Sequence, residues 1–132
     1  MQEKSKYRLE DFELYQAARG FRRQIYDLLP QLPRDEKYCL VPQMRRAAIS
    51  ITNNIAEGHG RWHYQENMQF CRMARGSLEE IIDDLTVCQD QKYGDPKTIE
   101  DLKRQAYELI ARINGYIGYL KKSRQDFERN QS

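Results

Sequence analysis

The sequence predicts an all-α protein, an antiparallel up-down four-helix bundle, and three observations lead there. Apolar residues recur at alternating steps of three and four over four long stretches. Pro and Gly gather at the boundaries between those stretches, and no stretch shows the period of two that marks a strand. At 132 residues the chain has room for one domain with its own core and little else.

The first helix is expected over about residues 12–30. Leu14, Ala18, Phe21, Ile25, Leu28 and Leu32 form one stripe, Glu10, Asp11 and Glu13 suit the positive end of the helix dipole, and Pro30 with Pro33 stop it. Residues 34–41 carry charge without period. Pro42 then fits a first turn, where its missing N–H is not needed, and opens a second helix over 42–58 with Met44, Ala47, Ala48, Ile51 and Ile55 inward. Gly58 and Gly60 are expected to end it in left-handed or extended backbone.

The third helix is expected over 63–92, with Cys71, Ala74, Leu78, Ile81, Ile82, Leu85 and Cys88 on one face. Tyr93-Gly94-Asp95-Pro96 reads as a turn. The fourth helix, over 97–125, turns Ile99, Leu102, Ala106, Leu109, Ile110, Ile113, Ile117 and Leu120 inward, and residues 1–8 and 126–132 are expected to be flexible ends. Helices of about 30 residues run about 45 Å, against roughly 27 Å for the first two, so the bundle is ragged and its uncovered apolar surface predicts oligomerisation. Gly20, Gly76, Gly115 and Gly118 lie inside helical patterns and are read as points of close backbone approach by a neighbouring helix or a partner chain, Gly115 and Gly118 with Tyr116 and Tyr119 forming a candidate tight packing or assembly surface.

Composition narrows the function. Charged residues make up 32% and apolar residues 39%, with a mean hydropathy of −0.93, and no apolar run is long enough to span a membrane. Nine Tyr, four Phe and one Trp argue against disorder. Twenty-two Lys and Arg against twenty Asp and Glu leave only +2, so any basic site must be local. Cys39, Cys71 and Cys88 are odd in number and without a CxxC pair, as expected of a reduced, cytoplasmic protein. Cys71 and Cys88 fall on the apolar stripe and read as core. His59 and His63 stand four apart, but glycines interrupt that helix and no HExxH exists, so no metal is expected. No GxSxG elbow, phosphate-binding glycine loop or acid–base–nucleophile set is present, and the expectation is a non-enzyme without a cofactor.

Two features remain. Arg46, Ser50, Asn53 and Glu57 make a polar stripe beside the apolar face of the second helix, either a hydrogen-bonded network between helices or subunits or a ligand contact; Arg45 and Asn54 flank it toward a different neighbour. Arginines group as Arg19, Arg22 and Arg23, then Arg45 and Arg46, then Arg72 and Arg75. Because Glu79, Glu80, Asp83 and Asp84 follow the last pair, one end of the bundle is expected to be more basic and able to hold phosphates.

The run from Leu40 to Arg61 contains Q-x-R-R-A-x-x-S-I-x-x-N-I-A-E-G-x-G-R. Together with Asp11-Phe12-Glu13-Leu14-Tyr15-Gln16-Ala17-Ala18 and the block from Phe70 through Ala74-Arg75-Gly76-Ser77-Leu78-Glu79-Glu80, it resembles the 23S ribosomal RNA intervening-sequence protein family, also called the four-helix bundle protein family, over about residues 7–122. The resemblance implies a bacterial four-helix bundle assembled as a ring-shaped homopentamer without enzymatic activity. A distant relative, the accessory variability protein of diversity-generating retroelements, is a basic pentamer that binds a reverse transcriptase and nucleic acid. By that analogy Arg45, Arg46 and Arg61 face a partner or a pore. The chain departs from the family pattern at Pro42 and at Thr52-Asn53, which bears on where the second helix starts. The function expected is accessory or scaffold binding of RNA or DNA, RNA first; the alternative is a protein adaptor docking on a reverse transcriptase.

Overall fold

The computed structural model describes residues 8–131, and within them the chain is all helical apart from turns. Four α-helices follow one another: α1 Glu13–Leu28, α2 Leu40–His59, α3 Tyr64–Gln91 and α4 Pro96–Gln131. Short 3-10 turns precede α1 and fill the α1–α2 connection. Cross-helix pairs fix the direction of each helix. Along α2 and α3, Gln43 meets Asp84 and Ser50 meets Ser77; along α3 and α4, Arg75 meets Asn114 and Tyr64 meets Phe127. In both pairs of helices one partner's number falls as the other's rises, which is antiparallel packing. Gln24 with Gln105, and Phe12 with Tyr116, close α1 onto α4.

The core is what the periodicity predicts. Phe21, Ile25 and Leu28 from α1, Met44, Ile51 and Ile55 from α2, Leu78, Ile81 and Leu85 from α3, and Ile99, Leu102 and Ile113 from α4 are fully buried. Removing each of these side chains from water contributes roughly 1.5–3 kcal/mol, which is what holds four amphipathic helices against their lost chain entropy.

The boundaries show where local chemistry overrides pattern. Helix α2 begins at Leu40, two residues before the expected start, and Pro42 still falls in the first turn. Helix α3 stops at Lys92 in left-handed backbone (φ 60), with the N–H of Tyr93 bonded back to the Cys88 carbonyl at 2.8 Å and Gly94 at φ 71. Asp95 caps α4: its Oδ2 accepts from the Thr98 N–H and the Thr98 hydroxyl, both at 3.0 Å, with Pro96 as the first helical residue.

Three expectations are corrected. Residues 126–131, expected to lie beyond the last helix, are helical: α4 continues to Gln131, with the Arg124–Glu128 pair one turn apart and Phe127 against Tyr64. Residues 1–7 and Ser132 lie outside the described residues. Gly58 does not end α2 but lies buried within it, and Gly60 at the cap is right-handed (φ −79). The close approach is at Gly58, where a Cβ would sit 2.6 Å from Asn67 Oδ1. Gly20, Gly76, Gly115 and Gly118 have nothing within 4 Å of that position and face open space, so no close approach within this chain explains them.

Candidate functional site

The sequence-predicted arginines separate into three places. Five of them share one side of the bundle, formed by α1 and α2. Arg19 and Arg23 are exposed on α1, and Arg22, on the same helix, donates from Nη1 to Thr52 Oγ1 of α2 at 2.9 Å. Thr52 is buried and donates in turn to the Ile49 carbonyl at 3.1 Å, so the Arg22 head is fixed across the seam. Arg45 on α2 reaches the other way, its guanidinium 5.7 Å from the ring centre of Tyr26 on α1. Arg46 is exposed one residue on.

These residues line adjoining depressions. One, of about 480 Å³, lies among Arg22, Arg23, Tyr26, Asp27 and Ile49. The next, of about 440 Å³, shares Ile49 and adds Arg45, Arg46, Ser50 and Asn53. A third, of about 270 Å³, shares Tyr26 and Arg45 and adds Arg34 and Lys37 from the α1–α2 connection. Across the three, Arg22, Arg23, Arg34, Lys37, Arg45 and Arg46 are opposed by the single lining carboxylate Asp27. Arg34 and Lys37 are not in the sequence-predicted set; they stand in a stretch without periodicity, and only the fold brings them beside Arg45.

The other arginines lie elsewhere. Arg75 donates from Nη1 to Asn114 Oδ1 at 2.6 Å and is committed to the α3–α4 seam, while Arg72 is half-buried beside Cys71. Arg61 lies beyond the end of α2, paired with Glu57 at 3.1 Å and Glu66 at 4.0 Å, its guanidinium 5.4 Å from the Phe70 ring centre. Antiparallel register sets Arg45 and Arg46 level with the acidic half of α3, as the Gln43–Asp84 contact requires, and so away from Arg72 and Arg75, which lie level with the second half of α4.

The polar stripe divides as well. Ser50 is structural: its hydroxyl is 2.8 Å from that of Ser77, and Asn54 Nδ2 donates to the Ser50 carbonyl at 2.8 Å and to its Oγ at 3.0 Å. Asn54 thus joins the stripe instead of leaving it for another neighbour. Arg46 and Asn53 face outward, and Glu57 pairs with Arg61 in a depression of about 560 Å³ that Asn53 also lines.

Buried chemistry serves packing. Burial pushes the Cys71 and Cys88 thiols up to about 11, and Cys71 donates to Asn67 Oδ1 at 3.6 Å. Asn67 Nδ2 donates to the Tyr116 hydroxyl at 3.0 Å, and burial raises that phenol too. Tyr116 is thus tied to α3, while Tyr119 is exposed. His59 stacks on Phe12 at 5.0 Å, and among the described residues no group of three or more His, Cys, Asp or Glu could hold a metal. No helix among the described residues is long and apolar enough to cross a membrane.

Comparison with known proteins agrees with this architecture. The crystal structure of a protein of unknown function from the S23 ribosomal protein family, from Bacteroides thetaiotaomicron VPI-5482, superposes with a TM-score of 0.73 over 79% of this chain and 97% of that one, at 17% identity. At that identity the likeness concerns the fold. No curated protein matches the chain. The sequence pattern of the family described as 23S rRNA-intervening sequence protein matches residues 10–115, which include all of α1, α2 and α3 and more than half of α4, and the chain belongs to that family.

Proposed function

We propose that this protein is a non-catalytic accessory protein that binds RNA through the α1–α2 side of its bundle and works as a ring of five copies. The observation that carries the reading is the cluster of Arg22, Arg23, Arg34, Lys37, Arg45 and Arg46 around adjoining depressions with Asp27 as the one lining acid. Guanidinium groups bind phosphate bidentately, and each phosphate neutralised releases counterions, so such a face suits a polyanion. Tyr26 and Ile49 between the cations offer ribose and base edges an apolar contact. The family's description, which ties it to 23S rRNA intervening sequences, supports RNA as the polyanion. A cytoplasmic role follows from the same reading.

Ring assembly is supported by large apolar side chains left open on α3 and α4, Met73, Tyr107 and Tyr119, and by the length of α4 relative to α1 and α2. Repeating a modest cationic site around a ring raises overall affinity without any new contact.

The test is fluorescence anisotropy of structured RNA with nuclease-treated protein whose mass has been determined in solution. Charge reversal at Arg45 and Arg46 is expected to abolish binding and leave the assembly intact, whereas reversal at Arg72 is expected to leave binding within about twofold. Absence of RNA binding by an intact wild-type assembly overturns the reading and turns attention to a protein partner, a reverse transcriptase included.

A further inference from the structure

At the opposite end of α2 from Arg45, the chain holds its single tryptophan in water. Trp62 stands in the short connection between α2 and α3 and is 91% exposed. An indole so exposed gives up the burial that makes Trp a core residue. Beside it a cleft of about 480 Å³ opens between the start of α3 and the last turns of α4. Its walls carry Trp62, His63, Tyr64 and Phe127; the rings of Tyr64 and Phe127 are tilted against each other at 6.4 Å, and Phe127 is exposed.

The lining favours a flat aromatic occupant over a branched protein side chain, and its one carboxylate, Glu128, is paired with Arg124. None of the lining residues is aliphatic, so nothing grips a branched apolar group, while several ring faces are available for stacking. Arg124 lines the cleft and spends one donor on Glu128 Oε1 at 3.1 Å, leaving the remaining N–H groups of its fork for a phosphate. Lys121 and Lys122 stand within one turn of it on α4, with no ion pair at either among the described residues. Gln65 supplies an amide that can bond a base edge.

We infer that this cleft holds an unpaired base of single-stranded nucleic acid, stacked on Trp62 and bounded by Tyr64 and Phe127, with Arg124 on the adjoining phosphate. The inference rests on the reading that the protein binds RNA and adds a second kind of contact, one that a duplex with its bases stacked inside cannot make. The α1–α2 face takes backbone phosphates of either form; the cleft distinguishes single strands.

The experiment uses the intact protein and the emission of Trp62, which reports on no other site because the chain has no second tryptophan. Oligouridylate and oligodeoxyuridylate ten-mers, which share the base and differ only in the sugar, and a fully paired RNA duplex, are titrated while anisotropy of labelled strands records binding independently. Stacking predicts that either single strand quenches Trp62 and the duplex does not; equal quenching by the two ten-mers assigns recognition to the base, and stronger quenching by uridylate adds the ribose. Trp62→Ala should weaken single-strand binding roughly 5- to 100-fold, the range of one lost base stack, and leave duplex binding unchanged, with Trp62→Phe restoring much of the loss. Because the side chain is exposed, the melting temperature should not move. If RNA binds but Trp62 emission and the Trp62→Ala affinity stay as in wild type, the cleft is not the site and the RNA-binding reading survives. If no strand binds at all, both fall.

Discussion

The amide of Gln43 on α2 donates to Oδ1 of Asp84 on α3 at 2.6 Å, while Oδ2 of the same carboxylate is buried and has no hydrogen-bond partner. Asp84 is 1% exposed. A carboxyl half satisfied in a helix seam is better off protonated, and burial pushes it up to about 6; the Gln43 bond opposes this, and Asp83 and Glu80 on its own helix add to it.

The sign of the pH dependence follows. A carboxyl whose folded value lies above its unfolded one of 3.8 holds its proton longer in the folded chain, so its contribution is full below about pH 4 and is lost as pH rises through about 6. The difference between about 6 and 3.8 corresponds to roughly 3 kcal/mol at neutral pH. Asp84→Asn, which keeps an acceptor for Gln43, is therefore expected to raise unfolding free energy by about 1–3 kcal/mol at pH 7.5 and hardly at all near pH 4. Denaturant melts of the two proteins at both pH values check this, and an equal effect at the two would refute the buried-charge account.

The glycines give a paired prediction. Gly58→Ala places a methyl 2.6 Å from Asn67 Oδ1, within the Asn67–Tyr116–Cys71 network, and should cost about 1–3 kcal/mol. Gly118→Ala meets nothing within 4 Å and should stabilise by up to about 1 kcal/mol through helix propensity. Thermal melts of both variants suffice, and the reverse order would mean that α2 and α3 part easily enough at Gly58 to admit a methyl group.

Tyr26 holds Arg45 by its ring face at the α1–α2 seam. Exposed cation–π contacts contribute about 0.5–1 kcal/mol, so Tyr26→Ala should weaken RNA binding roughly two- to fivefold and Tyr26→Phe should leave most of it. An unchanged affinity for Tyr26→Ala would mean that Arg45 needs no positioning.

The legible part of this protein was its core, and the reason is geometric. Side chains such as Phe21, Ile51, Leu85 and Ile113 stand at helical spacing, and that spacing alone assigns them to the inside. What escaped the periodicity depends on register between helices. Nothing local tells that α2 runs beside α3 so that Arg45 and Arg46 stand level with an acidic stretch, or that Arg34 and Lys37 join them. Glycine spacing could not separate Gly58, which another helix presses, from Gly118, which none does. Asp84 was readable: it lies three residues after Ile81 and four before Cys88, on the buried stripe, yet the acidic run Glu79, Glu80, Asp83 and Asp84 looks like one solvated face. The tail of α4 lost its apolar pattern without losing its helix, because the Arg124–Glu128 pair and Phe127 sustain it.

The measurement that bears most directly on the central claim is the salt dependence of RNA affinity for the wild-type assembly and for Arg45→Ala with Arg46→Ala. Engagement of about four phosphates per site by the α1–α2 face predicts a slope of log affinity on log salt near −3 to −4, made shallower by about 2 in the double variant. A wild-type slope near zero, or a slope that the double variant leaves unchanged, would contradict binding through this face.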